Sequence, residues 1–123
     1  MTKILVVDDE SSIRDLTSMI LEDHGYMVIT AENGTEAIEK FRREKPNLIF
    51  LDIRMPGISG FETCKELKRL NPTAKVVIFT VSESEDDRKR AREMKCDGYF
   101  LKPFTAEDLI WEVEKQLGKA ESP

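Results

Sequence analysis

Five short apolar runs recur along the chain, each followed by a stretch whose apolar residues return at helical spacing. The runs are Ile4-Leu5-Val6-Val7, Tyr26-Met27-Val28-Ile29-Thr30, Leu48-Ile49-Phe50-Leu51, Val76-Val77-Ile78-Phe79 and Tyr99-Phe100-Leu101. Those ending at Val7, Leu51 and Phe79 show no polar alternation, as expected of strands buried on both faces. The Tyr26 run is more mixed and the Tyr99 run is short, which suits sheet edges. Five strand–helix alternations predict an α/β domain, a parallel sheet with helices on both faces.

Helix boundaries carry their own signals. Asn33-x-x-Glu36, Ser59-x-x-Glu62, Ser82-x-x-Glu85 and Thr105-x-x-Asp108 have the form of capping boxes, the last with Asp in place of Glu. Pro46 and Pro72 stop the helices before them. Gly25 ends the first helix, which places His24 at its C-terminus rather than in a metal site. The fourth helix, about residues 83–95, has only Ala91 and Met94 as apolar members. Its acids come first and its bases mainly afterwards, complementing the helix dipole. Glu85 to Lys89 and Asp86 to Arg90 add i,i+4 pairs. Two readings stand for it: a well-solvated helix, or an element held mainly by local forces and free to shift.

A chain of 123 residues is expected to form one domain with a real core. With 40% hydrophobic and 35% charged residues, it reads as a soluble protein. A net charge of -5 argues against direct nucleic-acid binding, which usually needs a basic face. No long apolar span or signal peptide follows Met1, so no membrane association and a cytoplasmic location are expected. Cys64 and Cys96 lack metal-ligand spacing. Cys64 falls at helical spacing with Phe61 and Leu67 and reads as core. Cys96 reads as a small buried residue before a strand, and no disulfide is expected. The domain is assigned to residues 1–118, with 119–123 a tail or the start of a linker.

Polar residues at the ends of four runs carry the chemistry. They are Asp8-Asp9 after Val7, Asp52 after Leu51, Thr80 after Phe79, and Lys102 after Leu101. In one parallel sheet all of them reach its carboxyl edge, where open α/β sheets bind ligands. Adjacent acids there are too costly to bury unpaired. With Asp52 on the neighbouring strand, like charges crowd together and a hard cation such as Mg²⁺ relieves them. A carboxylate beside that metal can attack phosphorus, with the Lys102 ammonium and Thr80 hydroxyl placed for the phosphoryl oxygens.

The segments VVDDE, LDIRMPGISG, FT and YFLKPF, in this order and spacing, resemble a response-regulator receiver domain of two-component signalling, of the chemotaxis-regulator kind. The match runs from about residue 3 to 117. The resemblance implies a doubly wound, flavodoxin-like (βα)5 fold with strand order 2-1-3-4-5. It implies Asp52 as phospho-acceptor and Mg²⁺ ligand, Asp9 as a direct Mg²⁺ ligand, Asp8 as one acting through water, and the Arg54 carbonyl as a further contact. Lys102 matches the phosphoryl-binding lysine, with its bond to Pro103 cis. Thr80 and Tyr99 match the switch pair. The implied phosphodonor is a phosphohistidine on a sensor histidine kinase or a histidine phosphotransfer protein. The family's signalling face, made by the fourth helix, fifth strand and fifth helix, implies a downstream effector or a second copy as partner. The domain would catalyse its own phosphorylation and dephosphorylation without being a conventional enzyme.

Arg54 and Ser82 match variable positions that border the path of hydrolytic water, and with Val81 they are expected to set the phosphoryl lifetime. Val81 is bulkier than the small residue often found there. Three rivals stand beside this reading: a receiver-like module that only binds partners, which the complete acidic and lysine set argues against, and two that share parts of the pattern. A Mg²⁺-dependent aspartyl-phosphate phosphatase would place D-x-D after the first strand, where this chain has Asp8-Asp9-Glu10. A flavodoxin-like carrier needs a hydroxyl-rich phosphate loop there, and this loop is acidic. Trp111 points away from the stripe Ala106, Leu109, Ile110, Val113 and Leu117. It reads as a partner or dimer contact, against a ring lying flat on its neighbours.

Overall fold

The alternation of runs becomes ten elements in strict strand–helix order: β1 Lys3–Val7, α1 Ser11–Asp23, β2 Met27–Ala31, α2 Gly34–Glu44, β3 Leu48–Leu51, α3 Gly60–Leu70, β4 Lys75–Thr80, α4 Glu85–Glu93, β5 Gly98–Leu101 and α5 Ala106–Gln116. The computed structural model describes residues 2–118. The segment 119–123, expected to be a tail or linker, lies outside the described residues. All five strands are parallel, in the order β2-β1-β3-β4-β5. The fold is the doubly wound arrangement that the motifs implied, with β2 and β5 at the edges.

Successive strand residues face opposite sides, so each buried strand feeds two cores. Leu5, Val7, Ile49, Leu51 and Val76 pack with Ala37 and Phe41 of α2 and Cys64 and Leu67 of α3. Ile4, Val6, Leu48, Phe50, Val77 and Phe79 pack with Leu21 of α1 and Leu109 and Val113 of α5. The stripe read for α5 holds at Leu109, Ile110, Val113 and Leu117. Ala106 is exposed instead, and Glu112 is buried. The Glu112 carboxylate accepts from Gln116 Nε2 at 2.8 Å and pairs with Lys115 at 3.0 Å, which offsets its desolvation.

At three of the four signals the N-cap side chain bonds as the box requires. Asn33 accepts from the Glu36 N–H, Ser59 from Glu62 and Thr105 from Asp108. The fourth is shifted. The N-cap of α4 is Ser84, which accepts from the Asp87 N–H, and not Ser82. Ser82 is engaged elsewhere: its hydroxyl donates to Asp87 Oδ2 at 2.5 Å and accepts from the Ser84 N–H at 3.2 Å. The helix is therefore shorter than the expected 83–95. The expected i,i+4 partners are engaged elsewhere: Glu85 pairs with Arg92, seven residues on, at 2.9 Å, and Arg90 reaches Glu62 of α3 at 3.9 Å. Gly25 closes α1 at φ +86°, and His24 Nδ1 donates to the Ile20 carbonyl at 3.0 Å, the C-terminal role expected of it.

Helix α4 is the weakly held element. Ala91 is its sole buried residue, packed with Ile53, Phe61 and Ile78. One methyl group contributes on the order of 0.8 kcal/mol, against about 1.5–3 for a buried Leu or Phe side chain. Polar contacts therefore carry a large share of its docking.

Candidate functional site

The sheet delivers its polar residues by extending each ladder one step beyond the strand end. The Asp8 N–H donates to the Ala31 carbonyl at 3.1 Å, Asp52 to Val7 at 3.0 Å, and Lys102 to Thr80 at 2.8 Å. Asp8, Asp52 and Lys102 are thus fixed by backbone bonds at the carboxyl edge. A cleft of about 530 Å³ opens there, lined by Asp9, Glu10, Asp52, Arg54, Thr80, Val81 and Lys102, with Ile13, Leu16, Pro103 and Phe104 as its apolar walls.

Lys102 organises the charges. Its Nζ lies 2.5 Å from Asp8 Oδ2 and 3.6 Å from Asp52 Oδ2, and 4.7 Å from the centre of the Phe79 ring. Asp8 is fully buried. Its other oxygen accepts from the Glu10 N–H at 3.0 Å, and its carbonyl accepts from Arg14 Nη1 at 2.7 Å. Asp52 Oδ1 accepts from the Arg54 N–H at 3.3 Å. Burial raises the Asp52 carboxyl from 3.8 to about 6, opposed by the Lys102 ammonium and reinforced by the Asp8 and Asp9 charges. Asp52 is therefore a buried carboxylate whose charge is only partly offset by Lys102.

Asp8, Asp9 and Glu10 each offer a carboxylate oxygen, and these lie within 4.8 Å of one another. An all-oxygen, strongly acidic donor set of this size suits Mg²⁺. Nothing local marks Glu10, since a third acid in a row reads as ordinary surface charge. The Arg54 backbone borders the same cleft through its N–H on Asp52.

The remaining residues form a chain from the cleft to α4. Thr80 is buried, and its Oγ1 accepts from the Ser82 N–H at 3.1 Å. The Ser82 carbonyl accepts from the Tyr99 hydroxyl at 2.9 Å. The Ser82 hydroxyl holds Asp87, which also pairs with Arg54 Nη2 at 3.2 Å. The Tyr99 ring is half-buried, with the Arg88 guanidinium 4.5 Å from its centre. Val81 stands exposed at the cleft rim, at 69%. Asp87 and Arg14 belong to this arrangement, yet no local pattern marks them, since their partners lie on other elements. The Lys102–Pro103 bond is cis.

Gly60 is a second contributor without a chemical signature. A Cβ there would run into the Asp52 carbonyl and the Ile53 backbone. Only glycine lets α3 approach the loop that carries Asp52. Trp111 lies apart from the cleft. It is 38% exposed and borders a groove of about 660 Å³ with His24, Glu107, Ile110 and Glu114.

Comparison with known proteins agrees with this geometry. Residues 4–114 match the family model described as the response regulator receiver domain. The chain is 40% identical over 119 residues to the alkaline phosphatase synthesis transcriptional regulatory protein PhoP of Bacillus subtilis, covering 97% of this chain and 50% of that protein. It is equally 40% identical to the transcriptional regulatory protein ResD of the same organism, covering 97% and 49%. The chain thus spans about half the length of the curated relatives it matches. Among solved structures, the chemotaxis protein CheY4 of Vibrio cholerae superposes with a TM-score of 0.89 at 32% identity, covering 94% of this chain and 98% of that one. A CheY-like receiver domain protein from Methanospirillum hungatei gives 0.92 at 31%, covering 97% and 95%.

Proposed function

The chain belongs to the response-regulator receiver family of two-component signalling, and from that premise we propose that it is a switch set by phosphorylation of Asp52. The observation that carries the reading is the Lys102 ammonium held between Asp8 and Asp52, beside the Asp8-Asp9-Glu10 cluster. Residues 1–118 are the working unit in this reading.

The donor is a phosphohistidine on a sensor histidine kinase or phosphotransfer protein. An Asp52 carboxylate oxygen attacks phosphorus, and the bond to the imidazole nitrogen breaks with its electrons returning to the ring. Asp9, Asp52 and the Arg54 carbonyl, with Asp8 acting through water, would hold Mg²⁺, which supplies charge neutralisation for the phosphoryl oxygens. Lys102 is already placed to pair with one of those oxygens. Later hydrolysis of the acyl phosphate resets the domain. Val81 and Arg54 at the rim, with Ser82, limit how water reaches phosphorus.

The phosphoryl group adds about −1.5 to −2 charges at Asp52. Thr80 has a hydroxyl proton to donate to it, and turning toward it ends its acceptance from Ser82. Ser82 then loosens its hold on Tyr99 and Asp87. The Arg54 guanidinium is drawn to the new anion and leaves Asp87, an ion pair 72% exposed on the arginine side and therefore weak. Because α4 buries little apolar surface, losing these polar ties is enough to shift its position. The surface of α4, β5 and α5, with Trp111, then meets a downstream effector or a second copy. No nucleic acid contacts this acidic domain. No helix among the described residues is long and apolar enough to cross a membrane, and the proposed setting is the cytoplasm.

The test is an amide chemical-shift map before and after phosphorylation by a small acyl phosphate with Mg²⁺. Shifts are expected across residues 83–99. Thr80→Ala should still accept the phosphoryl group and lose those shifts. Full-size shifts in Thr80→Ala would remove Thr80 from the switch.

A further inference from the structure

Two cysteines 32 positions apart meet beneath α4. Cys64, in the middle of α3, is fully buried, and Cys96, in the turn between α4 and β5, is half-buried. Their Sγ atoms lie 3.1 Å apart. A disulfide needs them about 1 Å closer. Spacing gave no hint of this meeting, because it depends on α3 and the α4–β5 turn packing side by side.

The surroundings give the two sulfurs different roles. The bond with Cys96, with the Lys68 ammonium nearby, holds the Cys64 thiol below its usual range against the effect of burial. The same bond, with burial, pushes the Cys96 thiol up. Lys68 is fixed by Asp97 Oδ2 and the Ala74 carbonyl, each at 2.6 Å. Cys96 borders an open cavity of about 230 Å³ that it shares with Arg88, Ala91, Arg92 and Tyr99. A small reagent reaches Cys96 by this route, while Cys64 is enclosed.

We propose that Cys64 and Cys96 are a redox modification site, forming a reversible disulfide that ties the α4–β5 turn to α3. The oxidant is a small-molecule disulfide of the glutathione class. Cys96, the sulfur that reaches the cavity, passes its proton to the adjacent Cys64 thiolate as it attacks one glutathione sulfur; the S–S bond breaks, and the departing glutathione thiolate takes that proton back from Cys64. The Cys64 thiolate then attacks the Cys96 sulfur and expels the second glutathione, which is protonated in turn. Two protein thiols are oxidised and one glutathione disulfide is reduced to two thiols.

The bond would anchor the segment next to Met94, the C-cap of α4, whose carbonyl already faces Cys64 Sγ at 3.8 Å. It would therefore restrain the element that moves on phosphorylation. This consequence rests on the switch reading above; the bond itself does not.

The purified chain is incubated with oxidised glutathione and followed by intact mass and peptide mapping. The expected product has lost two hydrogens, carries a Cys64–Cys96 cross-link, and reverts with a dithiol reductant. Its Tm should rise by on the order of 10 °C. Cys64→Ala should stop at a single glutathione adduct on Cys96, and Cys96→Ala should remain unmodified. A parent protein that stays reduced, stops at a stable adduct, or links between molecules overturns the proposal, whatever the variants do. In the cross-linked form, Asp52 phosphorylation should continue while amide shifts over residues 85–93 shrink. Shifts of full size there overturn the restraint. Failure of phosphorylation in both redox forms counts against the switch reading and leaves the mass result standing.

Discussion

Replacing Asp52 by Asn removes a buried anion that the fold strains to hold. The Asp52 carboxyl sits at about 6 instead of 3.8, mainly through burial, with Asp8 and Asp9 adding to it. The folded state thus binds this proton more tightly than the unfolded chain. Its contribution to stability is fully present below about pH 4 and is lost as pH rises to about 6. Above that window both states are ionised and the penalty is constant. A shift of about two units corresponds to about 3 kcal/mol as a ceiling, and water at the cleft mouth with local relaxation reduces this to about 1–2 kcal/mol. Asp52→Asn should therefore be more stable than the parent by about 1–2 kcal/mol at pH 7, with the difference vanishing near pH 4. Urea unfolding with chelator, at half-unit steps from pH 4 to 7.5, reads it directly. Added Mg²⁺ should stabilise the parent more than the variant and narrow the gap. A parent as stable as Asp52→Asn throughout, or a gap that shrinks toward pH 7 without metal, would refute the electrostatic reasoning.

Three further outcomes follow from particular contacts. Gly60→Ala forces a methyl against the Asp52 carbonyl, so it should lower stability by about 1–3 kcal/mol in urea unfolding and slow phosphorylation by displacing the acceptor loop. Val81→Ala combined with Arg54→Asn should shorten the phosphoryl lifetime, measured as decay of labelled phosphoprotein; equal or slower decay removes the shielding argument. Trp111→Ala should phosphorylate normally and lose self-association or partner binding in sedimentation; unchanged association of the phosphorylated variant assigns the ring a merely structural role.

The strands and their edge residues were legible because parallel, doubly covered strands cannot hide their apolar runs. Asp8, Asp9, Asp52, Thr80 and Lys102 follow from that edge rule, and the structure lines one cleft with four of them and buries Asp8 against Lys102. Three caps were legible for the same local reason. The fourth was not, because the Ser82 hydroxyl is taken by Asp87 five residues on, and Ser84 caps instead. The Arg54–Asp87 pair, Arg14 on the Asp8 carbonyl and the Cys64–Cys96 contact join residues that only the tertiary fold makes neighbours. Gly60 was invisible for the opposite reason: its role is the absence of a side chain at a close approach.

The central claim, that Asp52 receives the phosphoryl group in a Mg²⁺-dependent reaction, is tested most directly by intact mass after incubation with a small acyl phosphate. The parent protein should gain the mass of one phosphoryl group with Mg²⁺ and none under chelation, and Asp52→Asn should gain none in either condition. Equal gain in Asp52→Asn, or full reaction in the presence of chelator, would contradict it.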